Sequence, residues 1–121
     1  MRRAATLSDA DRVLRIVVYS PLVKTSIHGA DPNWGRIVMA VGKSGARVVM
    51  TKLAIAIAGR PVFVQGTALR LTTAAQRATE RAMKKSEVLI EIDLGLGKAE
   101  AQWLGCDLSR QYVAINADYT T

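Results

Sequence analysis

Six residues with special backbone or hydrogen-bonding behaviour stand together in one segment, Asp-Pro-Asn-Trp-Gly-Arg at residues 31–36. Asp31 followed by Pro32 is a favoured helix start, and the free backbone N–H groups of such a start could hold an anion or a substrate carboxylate. Ordinary capping does not require asparagine, tryptophan, glycine and arginine in succession. The residues alone leave open whether this segment is structural or functional.

The last six residues, 116–121, form a second segment that composition does not explain. They follow a predicted strand directly and lack the polar, poorly ordered tail that most domains carry. An abrupt end of this kind can indicate a buried terminal carboxylate. A structural role and a functional role both remain open here as well.

Four other reactive side chains favour structural interpretations. No serine or cysteine nucleophile is identifiable around His28, and no cationic neighbour of Cys106 would activate its thiol. Glu91 and Asp93 stand two residues apart on one strand face, where they could form an acid and base pair, but a solvated strand face is the favoured interpretation. A single cysteine and a single histidine exclude a disulfide scaffold and a zinc module.

The net charge of +7, from 17 Lys and Arg against 10 Asp and Glu, suggests an anionic partner. The basic residues are spread from Arg2 to Arg110 in runs of at most two, and there are six aromatic residues. Nucleic-acid footprints usually cluster, so the pattern favours a solvated basic surface or a basic interface with an acidic partner chain. A stand-alone basic binding module for nucleic acid is the alternative hypothesis.

The length of 121 residues predicts a single domain over residues 1–121, and an apolar fraction of 50% excludes intrinsic disorder. Apolar runs such as residues 53–58 are far shorter than the roughly 20 residues of a membrane-spanning helix. The N-terminal residues lack the apolar core of a secretory signal. We therefore expect a cytoplasmic protein without a membrane partner.

Apolar periodicity predicts an α/β protein of the α+β type, a layered sandwich of about three helices on a largely antiparallel sheet of about five strands. Ser8, Asp31 and Thr73 are the expected helix caps. Residues 21–30 show no sustained periodicity and are predicted to be a short extended piece or a connection. The predicted helices cover residues 8–19, 32–42 and 73–85, and the predicted strands lie near residues 53–58, 62–66, 88–94, 99–103 and 112–115.

Four motifs in a fixed order resemble those of the bifunctional glutamate N-acetyltransferase (ornithine acetyltransferase) family of arginine biosynthesis. Their order and spacing match across nearly the whole chain, and together they are highly specific. The motifs are Ser-Pro-Leu-Val-Lys-Thr at residues 20–25, Asp-Pro-Asn-Trp-Gly-Arg at 31–36, Gly-Cys-Asp-Leu at 105–108 and Tyr-Val-x-Ile-Asn-Ala-Asp-Tyr-x-Thr at 112–121.

The resemblance implies a cytoplasmic enzyme whose precursor cuts itself into α and β chains and exposes an N-terminal threonine nucleophile. Acetyl would pass from N2-acetylornithine to that threonine and then to glutamate, and some members also accept acetyl from acetyl-CoA. The family uses no metal or prosthetic group. Its expected assembly is a heterotetramer of two α and two β chains.

Within that family, this chain resembles the last part of the β chain, so no catalytic residue is expected in it. The nucleophile would lie outside the chain, and Thr6 is not expected to replace it because it leads directly into a predicted helix. The family's substrate contacts map onto Asn116 and Thr121. Leu104, inserted between Trp103 and Gly105, and the pair at residues 110–111 depart from the family pattern. The segment alone is expected to be inactive.

Overall fold

The computed structural model describes residues 2–106 and 112–116. Within them, four α-helices and one short 3₁₀ helix accompany a six-stranded mixed sheet. The helices are α1 (Leu7–Tyr19), α2 (Pro21–His28), α3 (Trp34–Gly42) and α4 (Thr73–Met83), and the 3₁₀ helix is Met50–Lys52. The strands are β1 (Ala54–Ile57), β2 (Arg60–Val64), β3 (Thr67–Ala68), β4 (Glu87–Asp93), β5 (Trp103–Cys106) and β6 (Tyr112–Asn116).

The sheet has the order β3-β2-β1-β4-β6-β5. Four of the five strand pairs are antiparallel and only β4 and β6 run parallel, which confirms the predicted fold class with one more helix and one more strand. Ala58 and Gly59, both at positive φ, join β1 to β2 as a tight hairpin turn requires. The register of this pair shifts between Ile55 and Ala56, next to Pro61, whose nitrogen cannot donate a ladder hydrogen bond.

Each of the three predicted helices forms, but in each case the capping residue lies one or two positions before or after the predicted one. Thr6 Oγ1 accepts from the backbone of Asp9 and caps α1 in place of Ser8. Asn33 caps α3 in place of Asp31, and Thr72 caps α4 in place of Thr73. Several residues capable of capping stand close together at each start, so the sequence could not distinguish between them.

The expected connection over residues 21–30 was wrong, because residues Pro21–His28 form α2. Ser20 accepts from the backbone N–H of Val23, and Pro21 occupies the first helical turn, where its missing N–H costs nothing. The buried residues Val23, Ser26 and Ile27 recur at helical spacing. A helix of eight residues offers only this single repeat, and its stability comes from packing rather than from propensity.

Buried apolar residues of β1 and β4 form the centre of the core. The predicted alternation of β4 is confirmed, since Val88, Ile90 and Ile92 are buried while Leu89 and Glu91 between them are partly exposed. Helix α1 approaches the neighbouring strand so closely that a Cβ on Gly105 would lie 2.7 Å from Val18 Cγ1. Glycine is thus required at that point of β5, which begins at Trp103 and not at the predicted residue 99.

No helix within the described ranges combines the length and the apolar character that a bilayer crossing requires. The inserted Leu104 is accommodated inside β5, in register with Ala114 of β6. The other departure from the family pattern, residues 110–111, lies outside the described residues.

Candidate functional site

The carboxyl ends of the two parallel strands meet at one edge of the sheet. Asn116 is the last residue of β6 and stands in register with Glu91 of β4. In open α/β sheets, ligands bind outside the carboxyl ends of parallel strands, and β4 and β6 are the one parallel pair of this largely antiparallel sheet. The position of Asn116 therefore agrees with a role in binding, but the predicted ligand contact itself stays a prediction. Thr121, the second predicted contact, lies outside the described residues.

The beginning of the chain lies beside the same edge. The backbone N–H of Arg2 donates to Ile92 O over 2.6 Å, and the N–H of Leu94 donates to Arg2 O over 2.9 Å. Since β1 already occupies the other side of β4, Arg2 pairs on the side of β6, directly beyond the Glu91–Asn116 pair. Residues distant in sequence thus converge next to Asn116.

Asp93 holds this junction together. Its carboxylate accepts from Arg3 Nε over 2.8 Å, from Arg3 Nη2 over 2.8 Å and from Arg2 Nε over 3.2 Å, and it also accepts from the backbone N–H of Gly95 over 2.9 Å. The residue is only 7% exposed. We call Arg2, Arg3 and Asp93 the arginine clamp. It fixes the polypeptide that enters α1 to the end of β4.

The electrostatics of the clamp favour the charged form of Arg3. Hydrogen bonding to Asp93, and then the charge of that carboxylate, raise the pKa of Arg3 above its ordinary value, while burial opposes them. The arginine side chains are 39% and 52% exposed, so solvent screens part of the attraction. Because its carboxylate binds two guanidinium groups, the structure favours a structural role for Asp93 over an acid and base pair with Glu91. The expectation that its strand face is solvated was wrong for Asp93.

Two features of the sequence indicate the clamp, although neither was used to predict it. Arg2-Arg3 is one of the few basic pairs in the chain, and Asp93 stands directly before Leu94 and Gly95 at the end of a buried strand. A charge at such a place is rarely buried without a partner. The partner itself is about ninety positions away in sequence, and only the folded chain identifies it.

The segment at residues 31–36 has a structural partner for most of its unusual side chains. Asn33 Oδ1 accepts from the backbone of Arg36 over 3.2 Å, and Asn33 Nδ2 donates to Asp31 over 3.3 Å. The Trp34 ring stacks on Phe63 of β2 with 5.3 Å between centroids, and Arg36 Nη1 donates to Leu22 O. These contacts join α3 to β2 and to α2, so the structure favours the structural interpretation of this segment.

Among the described side chains, Thr6 and His28 lie apart from the clamp. Thr6 is engaged as the cap of α1, in agreement with its rejection as a nucleophile. His28 is an exposed residue at the end of α2. Cys106 is the last residue of β5. No group of three His, Cys, Asp or Glu residues in the described part of the chain is arranged to hold a metal ion.

The fold and the site define a layered α+β protein in which polar residues gather at the carboxyl ends of two parallel strands. The ArgJ family matches residues 1–121, and the chain belongs to that family. Among curated relatives, it is 48% identical over 118 residues to the arginine biosynthesis bifunctional protein ArgJ of Deinococcus radiodurans, which covers 98% of this chain and 29% of that protein. It is 41% identical to the glutamate N-acetyltransferase of Methanococcus vannielii, with 100% of this chain and 31% of that protein covered.

A solved structure of the same family has the same fold. The crystal structure of the arginine biosynthesis bifunctional protein ArgJ from Bacillus halodurans superposes with a TM-score of 0.83 at 33% identity, over 91% of this chain and 51% of that chain. This chain therefore spans about a third or less of the length of the curated relatives it matches. The comparisons give no support to the alternative of a stand-alone nucleic-acid module.

Proposed function

We propose that this chain is the C-terminal part of the β chain of an ornithine acetyltransferase, which moves acetyl from N2-acetylornithine to glutamate. The observation that carries the proposal is the family match over the whole chain, together with relatives that bear the name glutamate N-acetyltransferase. The chain would supply substrate-binding residues, and the rest of the enzyme would supply the nucleophile. The assembled enzyme would be a cytoplasmic heterotetramer of two α and two β chains.

The proposed reaction has two acyl transfers. In the first, the hydroxyl oxygen of an N-terminal threonine attacks the acetyl carbonyl of N2-acetylornithine, the amide C–N bond breaks, and the ornithine nitrogen leaves with the proton. In the second, the amine of glutamate attacks the acetyl-threonine ester, the C–O bond breaks, and the hydroxyl regains its proton. Both steps need only acid–base chemistry, so no metal or prosthetic group is required. Acetyl-CoA is a possible second acetyl donor.

Asn116 and Thr121 would bind the amino-acid part of the substrate. An asparagine amide can donate to a carboxylate and accept from an ammonium, and a terminal carboxylate or hydroxyl can accept from an ammonium. The arginine clamp supports this proposal because it fixes the backbone beside Asn116 through five hydrogen bonds to one carboxylate. A binding group on a rigid strand loses little entropy when the ligand arrives.

The proposal is tested by reconstitution. The chain is mixed with a second polypeptide that contains the rest of the Deinococcus radiodurans ArgJ protein, and N-acetylglutamate is measured after addition of N2-acetylornithine and glutamate. We expect product only from the mixture, because neither polypeptide contains the complete site. Equal turnover by this chain alone would contradict the division of the site between the two polypeptides.

A second experiment tests Asn116. In the reconstituted enzyme, Asn116→Ala should lower kcat/KM by about 10- to 100-fold, since a hydrogen bond to a charged group contributes about 1.5–3 kcal/mol. Gln102→Ala, at an exposed position before β5, is the matched control and should leave kcat/KM unchanged. An unchanged kcat/KM for Asn116→Ala, with normal assembly, would remove Asn116 from the site.

A further inference from the structure

A groove of about 510 Å³ lies between α1 and α3, and its lining includes neither Asn116 nor any residue of the arginine clamp. One wall comes from α1 and the other from α3, and the start of α2 closes one end. Tyr19, Leu22 and Met39 line it and are 62%, 51% and 51% exposed. They are three of the four large apolar side chains in the described part of the chain that are more than half exposed. Such a concentration of apolar surface indicates a docking site for another polypeptide.

The rim of the groove is strongly basic. Arg12, Arg15, Arg36 and Lys43 all line it. Arg12 Nη1 donates to Gly45 O over 3.2 Å, and Arg36 Nη1 donates to Leu22 O over 3.0 Å. A backbone carbonyl orients a guanidinium group without neutralising its charge.

Only one carboxylate is paired with these cations among the described ion pairs. Arg15 binds Asp11 of its own helix over 3.2 Å, and its guanidinium also lies 5.7 Å from the ring centre of Trp103. The groove therefore combines an apolar floor with positive charges held in place at its edges. The complementary surface is apolar in the middle and acidic at both sides.

We propose that the groove binds an acidic amphipathic helix from the part of the ArgJ enzyme that this chain does not contain. This inference depends on the proposed function in one respect: the chain must assemble with the rest of the ArgJ enzyme. A second copy of the groove cannot be the occupant, since it would bring equal positive charges face to face. The chain accounts for 29% of the Deinococcus radiodurans relative, so most of that protein is available to cover the groove.

The geometry suits a helix. An amphipathic helix lays its apolar face into such a groove, with anchors at every third and fourth residue. Helix α3 has nine residues and is about 13 Å long, which corresponds to some two and a half turns of a bound helix. Tyrosine, methionine and arginine, which line this groove, are enriched at protein interfaces.

The test measures association with the rest of the Deinococcus radiodurans ArgJ protein by titration calorimetry, so that its readout does not depend on activity. Lys43→Glu reverses one rim charge, and Met39→Glu places a charge on the apolar floor. Lys84→Glu is the matched control for the first, because Lys43 and Lys84 are exposed residues at the C-caps of α3 and α4. Met50→Glu, at another exposed methionine, is the control for the second.

We expect Lys43→Glu and Met39→Glu each to raise the Kd at least ten-fold, and the two controls to change it less than two-fold. Kd of the unaltered chain should rise with salt. At saturating concentrations of the rest of the enzyme, kcat should be unchanged in all four variants. If the proposed function is wrong, no variant shows turnover, but the differences in Kd between the groove variants and their controls remain. Circular dichroism of each variant shows that a raised Kd does not come from unfolding.

Four results would overturn the proposal. The first is the same Kd for the groove variants and their controls, and the second is no association of the unaltered chain. The third is a homodimer that Met39→Glu dissociates, because a second copy would then be the occupant. The fourth is binding of a DNA duplex that Lys43→Glu removes and Lys84→Glu does not.

Discussion

Removal of the Asp93 carboxylate should destabilise the protein far more than removal of another acidic side chain from the same strand. Asp93 is 7% exposed and accepts five hydrogen bonds shorter than 3.3 Å, four of them from arginine and one from the backbone of Gly95. Hydrogen bonds to charged groups contribute about 1.5–3 kcal/mol when buried. The two arginine side chains are 39% and 52% exposed, so each contact contributes less than that range.

The contacts together predict that Asp93→Ala lowers the free energy of unfolding by about 2–3 kcal/mol, because the Gly95 N–H also loses its acceptor. Asp93→Asn should cost about 1–2 kcal/mol, since an amide oxygen can still accept from Gly95 but carries no charge. Urea unfolding followed by the fluorescence of Trp34 and Trp103 measures both. Glu87→Ala, at an exposed position of β4, is the control and should lie within about 0.5 kcal/mol of the unaltered chain.

Salt separates the charge contribution from the hydrogen bond to Gly95. Because the arginines are half exposed, added NaCl should reduce the difference in unfolding free energy between the unaltered chain and Asp93→Asn. The difference in unfolding free energy between Asp93→Asn and Asp93→Ala should stay constant, since it reflects the hydrogen bond to Gly95. If Asp93→Ala were as stable as Glu87→Ala, the clamp would not hold the junction, and the rigidity invoked beside Asn116 would lose its basis.

Two further predictions concern packing. Gly97→Ala should destabilise the protein by at least about 2 kcal/mol, because a Cβ there would lie 2.6 Å from Ala4 O. Gly42→Ala is the control: a Cβ at that position would meet nothing within 4 Å, so this variant should stabilise α3 by about 0.5–1 kcal/mol. Equal thermal midpoints for the two variants would refute the argument. Trp34→Ala should lower the free energy of unfolding in urea by about 2–3 kcal/mol because it removes the stacking on Phe63, and Trp34→Phe should recover most of that loss. Equal stabilities of Trp34→Ala and Trp34→Phe would contradict the role of stacking.

The hydrophobic pattern predicted the elements whose burial follows a simple period. The alternation in β4 and the apolar stripe of α1 are both visible in the sequence, because each places large side chains on one face. One α-helix, one strand and the 3₁₀ helix Met50–Lys52 were missed since they are too short to show a period. Helix α2 has eight residues, and β3 consists of Thr67 and Ala68 alone.

Contacts between distant residues were the part that periodicity could not supply. The cap residues of α1 and α3 were misassigned by two positions because Thr6 and Ser8, or Asp31 and Asn33, have equivalent capping chemistry. The arginine clamp was missed because its members are about ninety residues apart. The groove joins α1 to α3 and exists only once those helices pack.

Helix α1 connects the groove with the edge of the sheet where Asn116 lies. It begins at Leu7, four residues after Arg3 of the clamp, and its last residue, Tyr19, lines the groove. Thirteen residues of α-helix span about 20 Å, and a helix packed along one side behaves as a rigid rod at that length. A partner seated in the groove would therefore hold the carboxyl end of β6 at a fixed distance from itself. In the proposed enzyme, such a connection would place Asn116 against a reaction centre carried by another polypeptide.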